Sequence, residues 1–124
     1  EIYTLSLHDA LPILTASTGM RDVIYEMSRK GLGMTTVADD DGRLVGIITD
    51  GDLRRQMSRT ATILDETAGA VMSPRPVTIA RSTLAVEALR ILEQRKITSI
   101  VVVDASLRVE GVVHLHDLWR TEMI

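Results

Sequence analysis

Cysteine and phenylalanine are absent from this 124-residue chain, and its aromatic residues amount to one Trp and two Tyr. Without cysteine there are no disulfide scaffolds, zinc–thiolate sites or cysteine nucleophiles. The same absence accords with a reducing cytoplasm, the compartment expected for this protein. So few aromatics leave almost no base-stacking platform for single-stranded nucleic acid, and the core must be built from Val, Ile, Leu, Met and Ala. An excess of positive charge is lacking too. Fourteen basic residues face seventeen acidic ones, a net charge of −3, so the chain carries no basic footprint and no nucleic-acid partner is expected. No apolar run approaches the roughly 20 residues that span a bilayer, and no membrane partner is expected. What is present, 45% hydrophobic and 25% charged residues, sits near globular averages.

The first thirteen residues, EIYTLSLHDALPI, read like the translation of a common sequencing adapter. As a secretory signal they lack a basic n-region and carry His8 and Asp9. Residues 1–13 are therefore treated as a non-native leader. On this reading the natural sequence begins near Leu14, and the gene is cut at its 5′ end. Without Glu1 and Asp9, fifteen acidic residues face fourteen basic ones, so the mild acidity says nothing of partners.

An internal repeat organises the remainder. Sliding the chain by 65 residues without a gap places Val37, Asp39, Arg43, Gly46, Asp52, Leu53 and Arg55 on Val102, Asp104, Arg108, Gly111, Asp117, Leu118 and Arg120. Met20, Val23, Ile24 and Met27 recur at i, i+3, i+4 and i+7 and predict a helix; Ala85, Ala88, Leu89 and Leu92 form the same stripe. Thr18 is the expected cap of the first helix and Ser82 or Thr83 of the second; Gly31 and Arg95-Lys96 mark their ends. Each helix precedes a predicted hairpin, Met34–Ala38 with Leu44–Thr49 and Ser99–Val103 with Val109–Val113, turning at Asp39-Asp40-Asp41-Gly42 and Asp104-Ala105-Ser106. The triple Asp reads as a solvated turn, without the oxygen spacing of a calcium loop. Closing helices are expected at Asp50–Arg59 and Leu115–Met123, and Met20, Met27 and Met34 read as core filler. The predicted organisation is 14–59 for the first repeat, 60–75 for a linker containing a helical turn at Ala68–Met72, and 76–124 for the second. An extended segment, Pro76–Ala80, leads the second repeat; its counterpart at Pro12–Ala16 overlaps the leader.

These units resemble the CBS domain. Gly46-Ile47-Ile48-Thr49-Asp50-Gly51-Asp52-Leu53 and Gly111-Val112-Val113-His114-Leu115-His116-Asp117-Leu118 match the end of that motif twice, and Val71-Met72-Ser73-Pro74 is typical of the connector in a tandem pair, the Bateman module. The fold the resemblance implies is α/β (α+β), two β-α-β-β-α repeats related by pseudo-two-fold symmetry. The runs Met27–Thr35, Ile48–Arg55, Lys96–Ser99 and His114–Asp117 are similar to the C-terminal CBS region of bacterial arabinose 5-phosphate isomerases, in which a sugar-isomerase (SIS) domain precedes the pair. That SIS domain is absent from this chain. No catalytic set of nucleophile, base and orienting group is visible in it.

The candidate ligand-binding residues are Thr49, Asp52, Arg55, His114 and Asp117. Thr49 at a strand end and Asp52 in the first turn of the next helix bring a hydroxyl, a carboxylate and free helix N–H groups together, which suits a ribose or a phosphate. The same Thr-x-x-Asp spacing also fits a capping box. The resemblance implies that Thr49 and Asp52 hold the ribose of a nucleotide. In the second repeat His114 replaces the Thr while Asp117 is kept, which suits a more anionic ligand or leaves that site empty. Arg54, Arg55 and Arg120 are either phosphate partners or solvated helix residues. His114-x-His116 beside Asp117 raises metal binding, but His116 falls at a helix start and no third ligand follows, so no metal is expected. No cofactor is required. The resemblance implies a regulatory ligand such as AMP, ATP or the nucleotide-activated sugar acid CMP-Kdo, an end product of 3-deoxy-D-manno-octulosonate synthesis. It also implies a homodimer formed through the helices; a purely structural dimerisation module is the alternative.

Overall fold

A computed structural model describes residues 14–31 and 33–115. They divide into two compact units after Pro76. The first unit contains helix α1 (Met20–Lys30), strands β1 (Met34–Ala38) and β2 (Leu44–Thr49), helix α2 (Asp50–Arg59), a 3-10 turn at Ile63–Asp65, helix α3 (Ala68–Val71) and strand β3 (Ser73–Pro74). The second contains β4 (Thr78–Ile79), α4 (Ala85–Arg95), β5 (Ser99–Val103) and β6 (Val109–His114). The expected closing helix Leu115–Met123 lies, beyond Leu115, outside the described residues, as does most of Pro12–Ala16.

The architecture is α+β, with one three-stranded sheet in each unit. In the first, β1 pairs with β2 in a hairpin and β3 adds antiparallel to β2, with Gly46 opposite Pro74 and Ile47 opposite Ser73. In the second, β5 and β6 form the hairpin, and β4 adds parallel to β5 with Ile79 opposite Val102. The 65-residue offset holds at the level of single contacts. Leu14 makes a parallel bridge to Val37, the counterpart of Ile79 on Val102. The register slips between Val37 and Ala38 and again between Val102 and Val103. Asp39 and Asp104 each accept two backbone N–H bonds within their turns, from Asp41 and Arg43 and from Ser106 and Arg108. These Asx bonds satisfy backbone donors that a tight reversal takes out of the ladder.

The cores correspond as well. Leu14, Met20, Val23, Met27, Val37 and Ile48 are buried in the first unit, and Ile79, Ala88, Leu92, Val102 and Val113 fill equivalent positions in the second. Met20, Met27 and Met34 are at most 5% exposed, the filler role their spacing predicts. The stretch read as a linker contributes Ile63, Ala68 and Val71 to the first core. Its backbone is bound as well: Ala68 and Gly69 N–H donate to the carbonyls of Thr18 and Ala16, and Met20 N–H donates to that of Glu66.

The helix starts differ from expectation. The N-cap of α1 is Gly19 and that of α4 is Leu84, neither with a side-chain cap. Thr18 instead turns its hydroxyl back to accept from Thr15 N–H at 3.0 Å. A capping side chain is dispensable at α1 because the carbonyls of Gly19 and Glu66 take its first N–H groups. Gly31 ends α1 in the left-handed conformation as expected, and Lys96 occupies the same conformation after α4.

Candidate functional site

Strand β2 delivers Thr49 to its end, where the chain turns directly into α2 with Thr49 as N-cap. Asp52 N–H donates to Thr49 Oγ1 at 3.2 Å and Thr49 N–H donates to Asp52 Oδ2 at 2.9 Å, a complete capping box. The Thr49 hydroxyl also donates to Oδ2, at 3.1 Å. The other carboxylate oxygen, Oδ1, accepts from Arg55 Nη2 at 2.5 Å and from the Ser73 hydroxyl at 2.9 Å. The structure thus brings Thr49, Asp52 and Arg55 into one cluster and adds Ser73, which sequence reasoning missed. Nothing local marks Ser73. It reaches Asp52 because β3 pairs with β2 and seats Ser73 opposite Ile47.

The electrostatics of this cluster are uneven. The Asp52 side chain is only 6% exposed, whereas that of Arg55 is 63% exposed. A buried carboxylate requires compensating donors, and the four present match its approximately four lone-pair positions. Gly51 leaves the space beneath the guanidinium: a Cβ there would lie 3.3 Å from Arg55 Nη1. Ser73 Oγ and the Thr49 donors are held by strand pairing and by the capping box. Arg55 alone reaches Asp52 on a flexible stem.

In the second unit His114 ends β6 directly across from Ser99, and its Nδ1 is hydrogen-bonded to the Ser99 hydroxyl at 2.8 Å. The corresponding pair in the first unit is Met34 and Thr49. Asp117, His116 and Arg120 lie outside the described residues. Two cavities are found among the described residues. One of about 310 Å³ is lined by Ile24, Met27, Gly31, Gly33, Asp50 and Leu53 in the first unit. Another of about 490 Å³ in the second is lined by residues including Ile79, Arg81, Asp104 and Glu110. Neither is lined by Thr49, Asp52, Arg55 or His114. No helix among the described residues is long and apolar enough to cross a membrane.

Two three-stranded sheets with flanking helices, each built on a hairpin that follows a helix and the first running directly into the Asp52-Leu53 helix start, define an α+β repeat fold. A sequence profile of the CBS domain matches residues 5–59 and 68–118, and the chain belongs to the CBS domain family. Its sequence is 45% identical over 112 residues to the arabinose 5-phosphate isomerase KdsD of Pseudomonas aeruginosa, covering 90% of this chain and 34% of that protein. It is 38% identical over 116 residues to KdsD of Escherichia coli K12, covering 94% and 35%. The chain therefore spans about a third of the length of these relatives. Among solved structures it is similar to the CBS-pair protein CBSX2 of Arabidopsis thaliana, including a complex with AMP: TM-score 0.80, 25% identity, covering 97% of this chain and 92% of that one. The CBS pair of MJ0100, solved with 5′-methylthioadenosine and S-adenosyl-L-methionine, superposes with a TM-score of 0.83 at 19% identity, covering 97% and 94%, a likeness of fold.

Proposed function

We propose that this chain is a regulatory module that binds a nucleotide or nucleotide-sugar and transmits its presence to an isomerase domain of the KdsD type preceding it in the parent protein, in the cytoplasm. The observation that carries this reading is Asp52, a buried carboxylate held at the start of α2 beside the Thr49 hydroxyl. Such a carboxylate accepts from the two hydroxyls of a ribose, and the adjoining helix start and Arg55 favour a phosphate. The likeness to an AMP-binding CBS pair supports the same chemistry. In this reading Thr49, Asp52 and Arg55 form the first site, while His114 and Asp117 serve the second. Regulation requires that the ligand bind one arrangement of the module more tightly than another.

A thermal-shift panel of AMP, ATP, CMP and CMP-Kdo tests the proposal. A ligand at 100 times its dissociation constant stabilises the folded state by about 2.7 kcal/mol, which raises the melting temperature of a chain this size by roughly 10 °C. A flat response across the panel would point to the second reading, a structural dimerisation module without ligand. Tyr25, Met57 and Val86, exposed at 63%, 56% and 61% on their helices, favour that alternative. Sedimentation velocity separates them further: a ligand-independent dimer that Tyr25→Glu dissociates belongs to the structural reading.

A further inference from the structure

We infer that Arg55 is a specificity gate: it occupies the position on Asp52 that a ligand diol needs, so that only a diol carrying its own negative charge displaces it efficiently. The inference rests on the proposed nucleotide reading and deepens it. Asp52 already accepts four hydrogen bonds, from Thr49 N–H, the Thr49 hydroxyl, the Ser73 hydroxyl and Arg55 Nη2. A carboxylate has about four lone-pair positions, so each incoming hydroxyl of a diol must replace a resident donor, and the departure of Arg55 opens the first position. Removing the Thr49 N–H bond breaks the capping box of α2, and the Thr49 and Ser73 hydroxyls sit on short side chains whose backbone is fixed by that box and by the pairing of Ser73 with Ile47. Arg55 is the donor that can withdraw fully from the carboxylate, because it reaches Asp52 on a long stem and its 63% exposed side chain gives it water to leave into.

The consequence is selective. A neutral diol that displaces Arg55 from a carboxylate only 6% exposed breaks an ion pair and leaves the guanidinium with water alone, while the buried carboxylate loses its counter-charge. A phosphorylated diol accepts the displaced guanidinium as a bidentate partner, so the charge is exchanged rather than stranded. The Asp-x-x-Arg spacing recurs at Asp117 and Arg120, as a gate repeated in both halves requires.

Calorimetric titration of the 124-residue chain with AMP and with adenosine, for wild type, Arg55→Ala and Arg55→Lys, tests the gate. Wild type is expected to prefer AMP to adenosine by tenfold or more. In Arg55→Ala adenosine should bind about three- to tenfold more tightly than to wild type, and the preference for AMP should collapse to within about threefold. Arg55→Lys should restore part of the preference. Equal weakening of both ligands in Arg55→Ala, or an unchanged preference, would overturn the gate while leaving the nucleotide reading intact. Binding of neither ligand to any of the three proteins, together with a flat response to ATP, CMP and CMP-Kdo, would overturn the reading itself and the gate with it. Circular dichroism establishes that the variants are folded, as expected for an exposed side chain.

Discussion

At the scale of the residue, the site is dominated by one carboxylate with two duties. Asp52 completes the capping box of α2 and ties Ser73 of β3 to that helix. Its acceptor capacity is therefore taken up by bonds within the fold. Asp52→Asn places an amide donor against at least one group that must donate, leaving buried donors unmatched. We expect it to lower stability by about 1–3 kcal/mol in chemical denaturation; an unchanged midpoint would show that these bonds contribute nothing net. Gly46 is constrained by space. A Cβ there would lie 2.5 Å from Met72 Sδ and 3.0 Å from the Ser73 carbonyl oxygen. Met72 is flexible, but the Ser73 carbonyl belongs to a paired strand and cannot yield as easily. Gly46→Ala should therefore cost about 1–3 kcal/mol, seen as a lowered melting temperature. Thr49 and Asp52 were legible as a pair because they are three residues apart. Ser73, 21 residues from Asp52, was not.

At the scale of the element, the repeat makes each unit a reference for the other. Both hairpins have the expected strands, and both slip register at equivalent positions. Where the units differ, the difference carries a cost that can be measured. Gly31 and Gly42 take left-handed backbone in the first unit, and their counterparts Lys96 and Leu107 take it in the second at φ 56° and 67°. A side chain is disfavoured there, since its Cβ crowds the following carbonyl. Lys96→Gly should stabilise the second unit by up to about 1 kcal/mol, offset in part by the greater freedom glycine gives the unfolded chain. The reciprocal Gly31→Lys should destabilise the first by a similar amount. Opposite signs in a pair of melting curves would bear this out, and equal signs would refute it. The caps are a further lesson at this scale. Thr18 stands one residue before the true N-cap, because the carbonyl of Glu66, far along the chain, takes an N–H that a local cap serves in an isolated helix.

At the scale of the whole chain, the stretch that joins the two repeats is part of a core. It contributes Ile63, Ala68 and Val71 to the first unit. Val71→Ala should therefore cost about 1–2 kcal/mol rather than the near-neutral value of a mobile linker, measured by urea denaturation. Hydrogen exchange of residues 63–72 that matches the core strands would agree with this; exchange at the rate of an unprotected loop would not.

The amino-acid sequence by itself determined the repeat, the helix stripes, the hairpins and the family, because each rests on the spacing of neighbouring side chains and on turn chemistry within a few residues. It also placed a hydroxyl and a carboxylate together at Thr49 and Asp52. Only the tertiary structure decided which donors fill that carboxylate, how deeply it is buried and which of its donors is exposed. Those properties depend on strand β3 returning to β2, a long-range pairing set by packing of the intervening turn and helix into the core rather than by any local pattern.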